Sequence, residues 1–193
     1  CAQMLEVLGG VLAQEGIEFE VCQPGAKVHP CMACYHCLNN NTLRCVQADD
    51  GVNEIIEKCI AADAIVLASP VYHGGIAGSM KCVMDRIMLA ACCGENQFHH
   101  KVGAALCTLR RSGGMETYQQ LLGLMDAMEM VLVTSDYWNA VHGAEIGECK
   151  QDIEGVEVIE KLGRNIAWML KVIDKAGIAP PETHHRTMFN YIR

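Results

Sequence analysis

The sequence predicts a doubly wound α/β domain, a parallel sheet with helices on both faces. Short apolar runs at 64–68, 102–108 and 131–134 alternate with stretches whose apolar residues recur at helical spacing. Strands that alternate with helix-length patterns build right-handed βαβ units, whose strands lie parallel in one sheet. The 193 residues show no internal repeat, low-complexity tract or domain break. A chain of that length buries about 70% of its unfolded surface as one domain.

The elements follow in order. Met4, Leu5, Leu8, Val11 and Leu12 line one helix face, and Gly16 stops it. Ile17, Phe19 and Val21 alternate with Glu18 and Glu20, the pattern of a half-buried strand near a sheet edge. Residues 22–48 have no period and form an inserted cysteine-rich loop, long enough to imply a function. Asp50 reads as the N-cap of a helix with Val52, Ile55, Ile56, Cys59 and Ile60 inward. The run Ala64 to Ala68 reads as a parallel strand covered on both faces.

A loop from Ser69 to Gly78 leads to a helix carrying Met80, Val83, Met84, Ile87 and Met88. The apolar strand Val102 to Thr108, the loop RRSGG and a helix with Tyr118, Leu121, Leu122, Leu124, Met125 and Met128 come next. A short strand, Val131 to Thr134, and a polar loop precede a long helix from Val156 to Lys175. Ile159, Leu162, Ile166, Met169, Leu170 and Ile173 form its expected buried side. The domain so defined covers 1–179, and 180–193 form a C-terminal arm. Doubly wound folds open on a strand in the middle of the sheet, whereas this pattern opens on a helix. A first strand ahead of Cys1 is therefore expected.

Fifteen Lys and Arg against 23 Asp and Glu give a net charge of −8. That balance opposes the counterion release that drives nucleic-acid binding, so neither nucleic acid nor an anionic membrane is an expected partner. No apolar run approaches the ~18 residues of a membrane span. The opening CAQMLEVLGG lacks the basic region and small-residue cleavage site of a secretory signal, and a reducing, cytoplasmic setting is expected.

Twelve cysteines fall into two groups. Cys1, Cys22, Cys59, Cys82, Cys92, Cys93, Cys107 and Cys149 are scattered, several in apolar stretches, where free Cys packs as a small hydrophobe. Cys31, Cys34, Cys37 and Cys45 form C-x2-C-x2-C-x7-C. Three thiolates on one tight loop and a fourth from nearby chain suit a [4Fe–4S] cubane. Zinc sites more often use two separated C-x2-C pairs, and free or redox-active thiols are the third reading.

Ligands of open α/β sheets bind at the carboxyl ends of the strands. Three loops fall there. In Ser69-Pro70-Val71-Tyr72-His73-Gly74-Gly75, two glycines let backbone approach a planar ligand, and Tyr72 offers an aromatic face. Arg110-Arg111-Ser112-Gly113-Gly114 sets cations and free N–H groups at a helix N-terminus. Ser135 to Gly143 carries Tyr137 and Trp138, placed for stacking.

The run SPVYHGGIAGSMKCVMDR resembles the flavin-ring loop of the NAD(P)H-dependent FMN reductases, a flavodoxin-like family. RRSGG, DYWNAVHG and HRTMFNYIR resemble that family's further flavin-edge loops and C-terminal arm. The cysteine motif resembles the cluster loop of iron–sulfur flavoproteins, a branch of the same family. The resemblance implies a flavodoxin-like three-layer α/β/α fold. It implies that Ser69, Pro70, Val71, Tyr72, His73 and Gly74 contact the isoalloxazine, and that Arg111, Gly113 and Gly114 approach its rim. The family's phosphate loop would lie before Cys1, together with the expected first strand.

The expectation is an FMN-dependent NAD(P)H oxidoreductase, a homodimer or homotetramer, passing electrons to a second acceptor. Arg110 or Arg111 would steady negative charge on the reduced flavin, Trp138 would flank the ring, and Cys31, Cys34, Cys37 and Cys45 would hold a cluster if one is present. An electron carrier without turnover of its own, serving a protein partner, and a metal or thiol sensor built on the cysteine loop are the alternatives.

Overall fold

The computed structural model describes residues 1–93, 95–182 and 187. Most of the arm expected at 180–193 thus lies outside the described residues. The elements are α1 (Ala2–Gln14), α2 (His36–Asn40), α3 (Val52–Ala61), β1 (Ala64–Tyr72), β2 (Gly75–Ile76), α4 (Gly78–Ala91), β3 (Val102–Leu109), α5 (Gly114–Ala127), β4 (Val131–Leu132), β5 (Ala140–His142) and α6 (Ile153–Ala176).

β3 is the central strand. Val102 pairs with both Ala64 of β1 and Val131 of β4, and Thr108 with both Pro70 of β1 and Val141 of β5, all in parallel. Seven of its eight residues are buried, as a β-branched and small-residue strand between two helical layers requires. One layer packs α3, α4 and α5 on the sheet through Val52, Ile56, Ile87, Leu121 and Met125. The other packs α1 and α6 through Met4, Leu8, Leu12, Ile159, Leu162 and Ile166. In α6, a Cβ on Gly163 would sit 2.9 Å from Val11 Cγ1, so the missing side chain lets α1 and α6 close on one another.

Several expectations change. Ile17 and Phe19 are half-buried between exposed Glu18 and Glu20, but Val21 is exposed, and 17–21 forms no strand because no described strand offers it a ladder. Phe19 instead covers α1, where a Cβ on Gly9 would meet its ring at 2.6 Å. β1 is buried on alternate residues rather than on both faces, because the doubly covered position belongs to β3. The strand expected at 131–134 shortens to β4, with Val133 N still donating to Gly103 O at 2.8 Å, and β5 pairs with β3 inside what reads as a polar loop.

The N-cap of α3 is Gly51, at φ +77°, because the carboxylate of Asp50 is drawn inward to Arg86. α6 begins at Ile153, three residues before the expected start, with Asp152 Oδ1 accepting from Gly155 N at 3.1 Å. Its last turns outrun the sheet, and Ile173 is exposed rather than buried. Cys93, Cys107 and Cys149 pack as expected, but Cys22 is exposed because it follows the segment that found no ladder. No described helix is long and apolar enough to cross a membrane.

Candidate functional site

Ser69 to Tyr72 belong to β1 rather than to a loop. The chain then reverses in two residues, His73 at φ +50° and Gly74 at φ +80°, and Val71 and Tyr72 pair antiparallel with Ile76 and Gly75. Two consecutive positive φ values are the type I′ turn, whose twist matches a tight hairpin. Ser69 is wholly buried. Its hydroxyl donates to Pro70 O at 2.9 Å and accepts from Ala77 N at 3.0 Å, which ties strand β1 to the start of α4. Tyr72, 62% exposed, is left as a flat apolar face at the hairpin.

The second loop meets the first directly. Gly113, at φ +85°, is the N-cap of α5, and a Cβ there would lie 2.8 Å from Gly74 Cα and 2.9 Å from Val71 Cγ1. Both the conformation and the contact require glycine. Gln120, two turns along α5, accepts from Ile76 N at 3.2 Å and holds the hairpin from its other side. Gly114 meets the third segment, where its Cβ would be 3.6 Å from Ala140 Cβ. Arg110 and Arg111 are exposed at this helix start.

Asn139, which the sequence pattern does not single out, anchors the third segment. It is fully buried, its Nδ2 donates to Ala105 O at 2.9 Å, and its carbonyl oxygen accepts from Cys107 N at 2.9 Å. Ser135 Oγ donates to Asn139 Oδ1 at 2.7 Å and closes the turn that presents Tyr137 and Trp138. Those rings are about half exposed, with centroids 4.7 Å apart. A polar residue flanked by a two-aromatic run and an alternating apolar pair is the signal that could have found it. Helix α1 also begins at this edge, where Cys1 Sγ and Thr108 Oγ1 share a hydrogen bond at 3.1 Å.

The cysteine loop forms a second centre. Cys31, Cys34, Cys37 and Cys45 line one narrow cavity with Met32, Arg86 and Leu89. Ala33, Tyr35, Asn41 and Leu43 all have φ between +48° and +54°, which curls the segment sharply. Left-handed non-glycine residues cost about 1–3 kcal/mol each and persist where the surroundings enforce them. The short helix α2 carries Cys37 inward, and burial pushes its thiol pKa up.

The supporting frame was also not singled out. Asn53 Oδ1 accepts from Cys45 N at 2.7 Å, and its Nδ2 donates to Cys45 O at 3.0 Å. Arg86, 1% exposed, pairs with Asp50 and donates to Gln47 O at 2.7 Å and His29 O at 3.4 Å. Its Nε, buried, has no hydrogen-bond partner. Burial pushes the Asp50 carboxyl up, but Arg86 and the N–H groups of His29 and Val52 outweigh it and hold the pKa below 3.8. An arginine inside the apolar stripe Val83, Met84, Ile87 is the sequence signal for this frame.

The sequence model of the NADPH-dependent FMN reductase family matches residues 1–145. The chain is 36% identical over 172 residues to an iron-sulfur flavoprotein of Methanocaldococcus jannaschii, covering 85% of this chain and 86% of that one. It is 30% identical over 180 residues to an iron-sulfur flavoprotein of Methanosarcina thermophila, covering 91% and 90%. Among solved structures, RosB with a bound 8-demethyl-8-formylriboflavin-5'-phosphate intermediate superposes with a TM-score of 0.66 at 14% identity, over 99% of this chain and 88% of that one. A flavodoxin from the domain Archaea gives 0.56 at 17% identity, over 87% and 88%. These two likenesses are of fold, and the fold is flavodoxin-like.

Proposed function

The chain belongs to the NADPH-dependent FMN reductase family, and we propose that it is an FMN-dependent NAD(P)H oxidoreductase passing electrons to a second acceptor through an iron–sulfur cluster in its four-cysteine loop. Membership makes it a flavin-dependent oxidoreductase or electron carrier. The observation that carries the finer reading is the packing of Gly113 onto Gly74, which joins the RRSGG loop to the hairpin that carries the exposed ring of Tyr72. A Cβ on Gly74 would meet nothing within 4 Å, so backbone there is open to a flat ring system, beside an uncovered aromatic face.

Bound FMN would supply hydride acceptance and electron transfer, chemistry that belongs to the cofactor. The chain's own residues position it. The type I′ hairpin would present Tyr72 to the ring, and the exposed Tyr137–Trp138 pair would help exclude water from it. Arg110, Arg111 and the α5 N-terminus favour negative charge at the ring's rim.

Cys31, Cys34, Cys37 and Cys45 would hold the cluster, which supplies single-electron steps. The four thiols line one cavity, three of them from a single curled segment, as a cluster-binding loop requires. The unpartnered Nε–H of Arg86 beside them suits an anionic occupant. Arg86 lies eight residues along α4 from Gly78, about 12 Å from the hairpin end of that helix.

The test is the visible spectrum of anaerobically purified full-length protein, followed by NAD(P)H oxidation with FMN and an added acceptor. Flavin bands with a broad shoulder that bleaches on reduction, and turnover with a pyridine nucleotide, are expected. Flavin bands alone would remove the cluster. The relatives named iron-sulfur flavoproteins favour a second reading, an electron carrier for a protein partner. It predicts cluster and flavin reduced by dithionite, with no turnover of either pyridine nucleotide.

A further inference from the structure

The end of the sheet opposite the flavin hairpin carries a separate cluster of ligating side chains. His99 and His100 stand just before β3, and Glu129 just before β4, so all three lie at the amino ends of parallel strands. One ring nitrogen of each histidine and a carboxylate oxygen of Glu129 lie within 4.8 Å of one another, and no other such group occurs among the described residues. We propose that His99, His100 and Glu129 bind one divalent transition-metal ion, with zinc as the matching metal.

Two features set this trio apart from a chance surface group. His99 Nε2 and His100 Nδ1 are both buried and make no hydrogen bond. Buried polar atoms nearly always have partners, and two orphans on adjacent rings point to an absent one. The backbone is also built for the convergence. His100 and Glu129 adopt φ +60° and +58°, and His100 N donates to Glu129 O at 3.0 Å. Asn96 Nδ2 donates to Met128 O at 2.7 Å and pins the two loops together from the other side.

The donor set matches the chemistry. Two neutral imidazoles and a carboxylate are borderline-hard N and O donors, a set that zinc takes with a water in the fourth position. Ligands of one tetrahedral zinc stand about 3.4 Å apart. His99 Nε2 lies 3.8 Å from Glu129 Oε1, too far for a hydrogen bond and close enough that a small side-chain movement completes the site. The Glu129 side chain, 60% exposed, is free to make it. The neighbouring ammonium of Lys101 is held away on the carbonyls of Ile60 and Ala62. An ion here would join the loop into β3 to the loop into β4.

The experiment is equilibrium dialysis of the purified full chain, cofactors in place, against zinc, with metal counted by mass spectrometry. Wild type and C34S are expected to hold one zinc that E129Q and H99Q bind at least tenfold more weakly. Flavin absorbance reports that each variant is folded, and E129Q alters only an exposed side chain. In wild type, zinc should also shift two histidine ring resonances in the proton spectrum. Equal zinc binding by wild type, E129Q and H99Q, loss of the only zinc in C34S, or unshifted histidine resonances would each overturn the proposal.

Discussion

Arg86 and Asp50 form a buried ion pair, with side chains 0% and 1% exposed, whose remaining hydrogen bonds go to the cysteine loop and the start of α3. The pair joins helix α4, the first helix after the Tyr72 hairpin, to the chain that carries Cys31 and Cys45. Desolvation makes such a pair costly, so its value lies in the register it imposes on an otherwise irregular loop.

Breaking one half leaves a buried charge alone. Asp50→Ala should destabilise the protein by about 3–5 kcal/mol, read as a lower denaturant midpoint. Acid should act on the same pair. The folded pKa of Asp50 is depressed, so its contribution is complete above the unfolded value near 3.8 and is lost as pH falls through the lower folded value. The gap between urea melts of wild type and Asp50→Asn should therefore be constant above pH 3.8 and close as pH falls below it. A gap that stays constant as pH falls below 3.8 would remove Asp50 from the account.

Gly113→Ala puts a methyl 2.8 Å from Gly74 Cα at a φ of +85°. Strain and displaced backbone should cost about 1–3 kcal/mol, and FMN affinity should fall at least tenfold as the hairpin is pushed away. Gly123, in the middle of α5, has nothing within 4 Å of its Cβ position. Gly123→Ala should stabilise by about 0.5–1 kcal/mol and leave FMN binding unchanged. Fluorescence titration with FMN and thermal melts separate the two.

Tyr72→Ala removes an exposed ring with no packing role. The melting curve should not move beyond about 0.5 kcal/mol, while FMN dissociation should quicken about tenfold, the worth of one lost stacking contact. Unchanged FMN affinity would take Tyr72 out of the flavin site.

Cys34→Ser should abolish the broad cluster absorbance and keep the flavin bands, whereas Cys22→Ser, at an exposed position outside the cavity, should keep both. Burial pushes the thiols of Cys59 and Cys107 up to about 11. At pH 8 only about one part in a thousand of each is thiolate. Brief iodoacetamide treatment followed by peptide mass spectrometry should find both unmodified.

The helices on both faces of a parallel sheet, the apolar strand at Val102 to Thr108, the inward faces of α1 and α5 and the four-cysteine spacing were all legible in the sequence, whereas the central place of that strand was not. Each rests on periodicity or spacing within one short segment, and such patterns survive any tertiary arrangement that buries the apolar face. The loss of a ladder at Ile17 to Val21, the shortening of the strand at 131–134, the appearance of β5 inside an expected loop, and the placing of Ser69 inside β1 were not legible. A strand exists only where a neighbour's backbone accepts it, and that neighbour lies far away in the chain. The same holds for both centres. Composition names Tyr72, Gly113 and the cysteines as candidates. Only folding brings Gly113 onto Gly74, 39 residues apart, and Arg86 onto Asp50, 36 apart, because glycine contacts and buried ion pairs are made between elements and leave no period in any one of them.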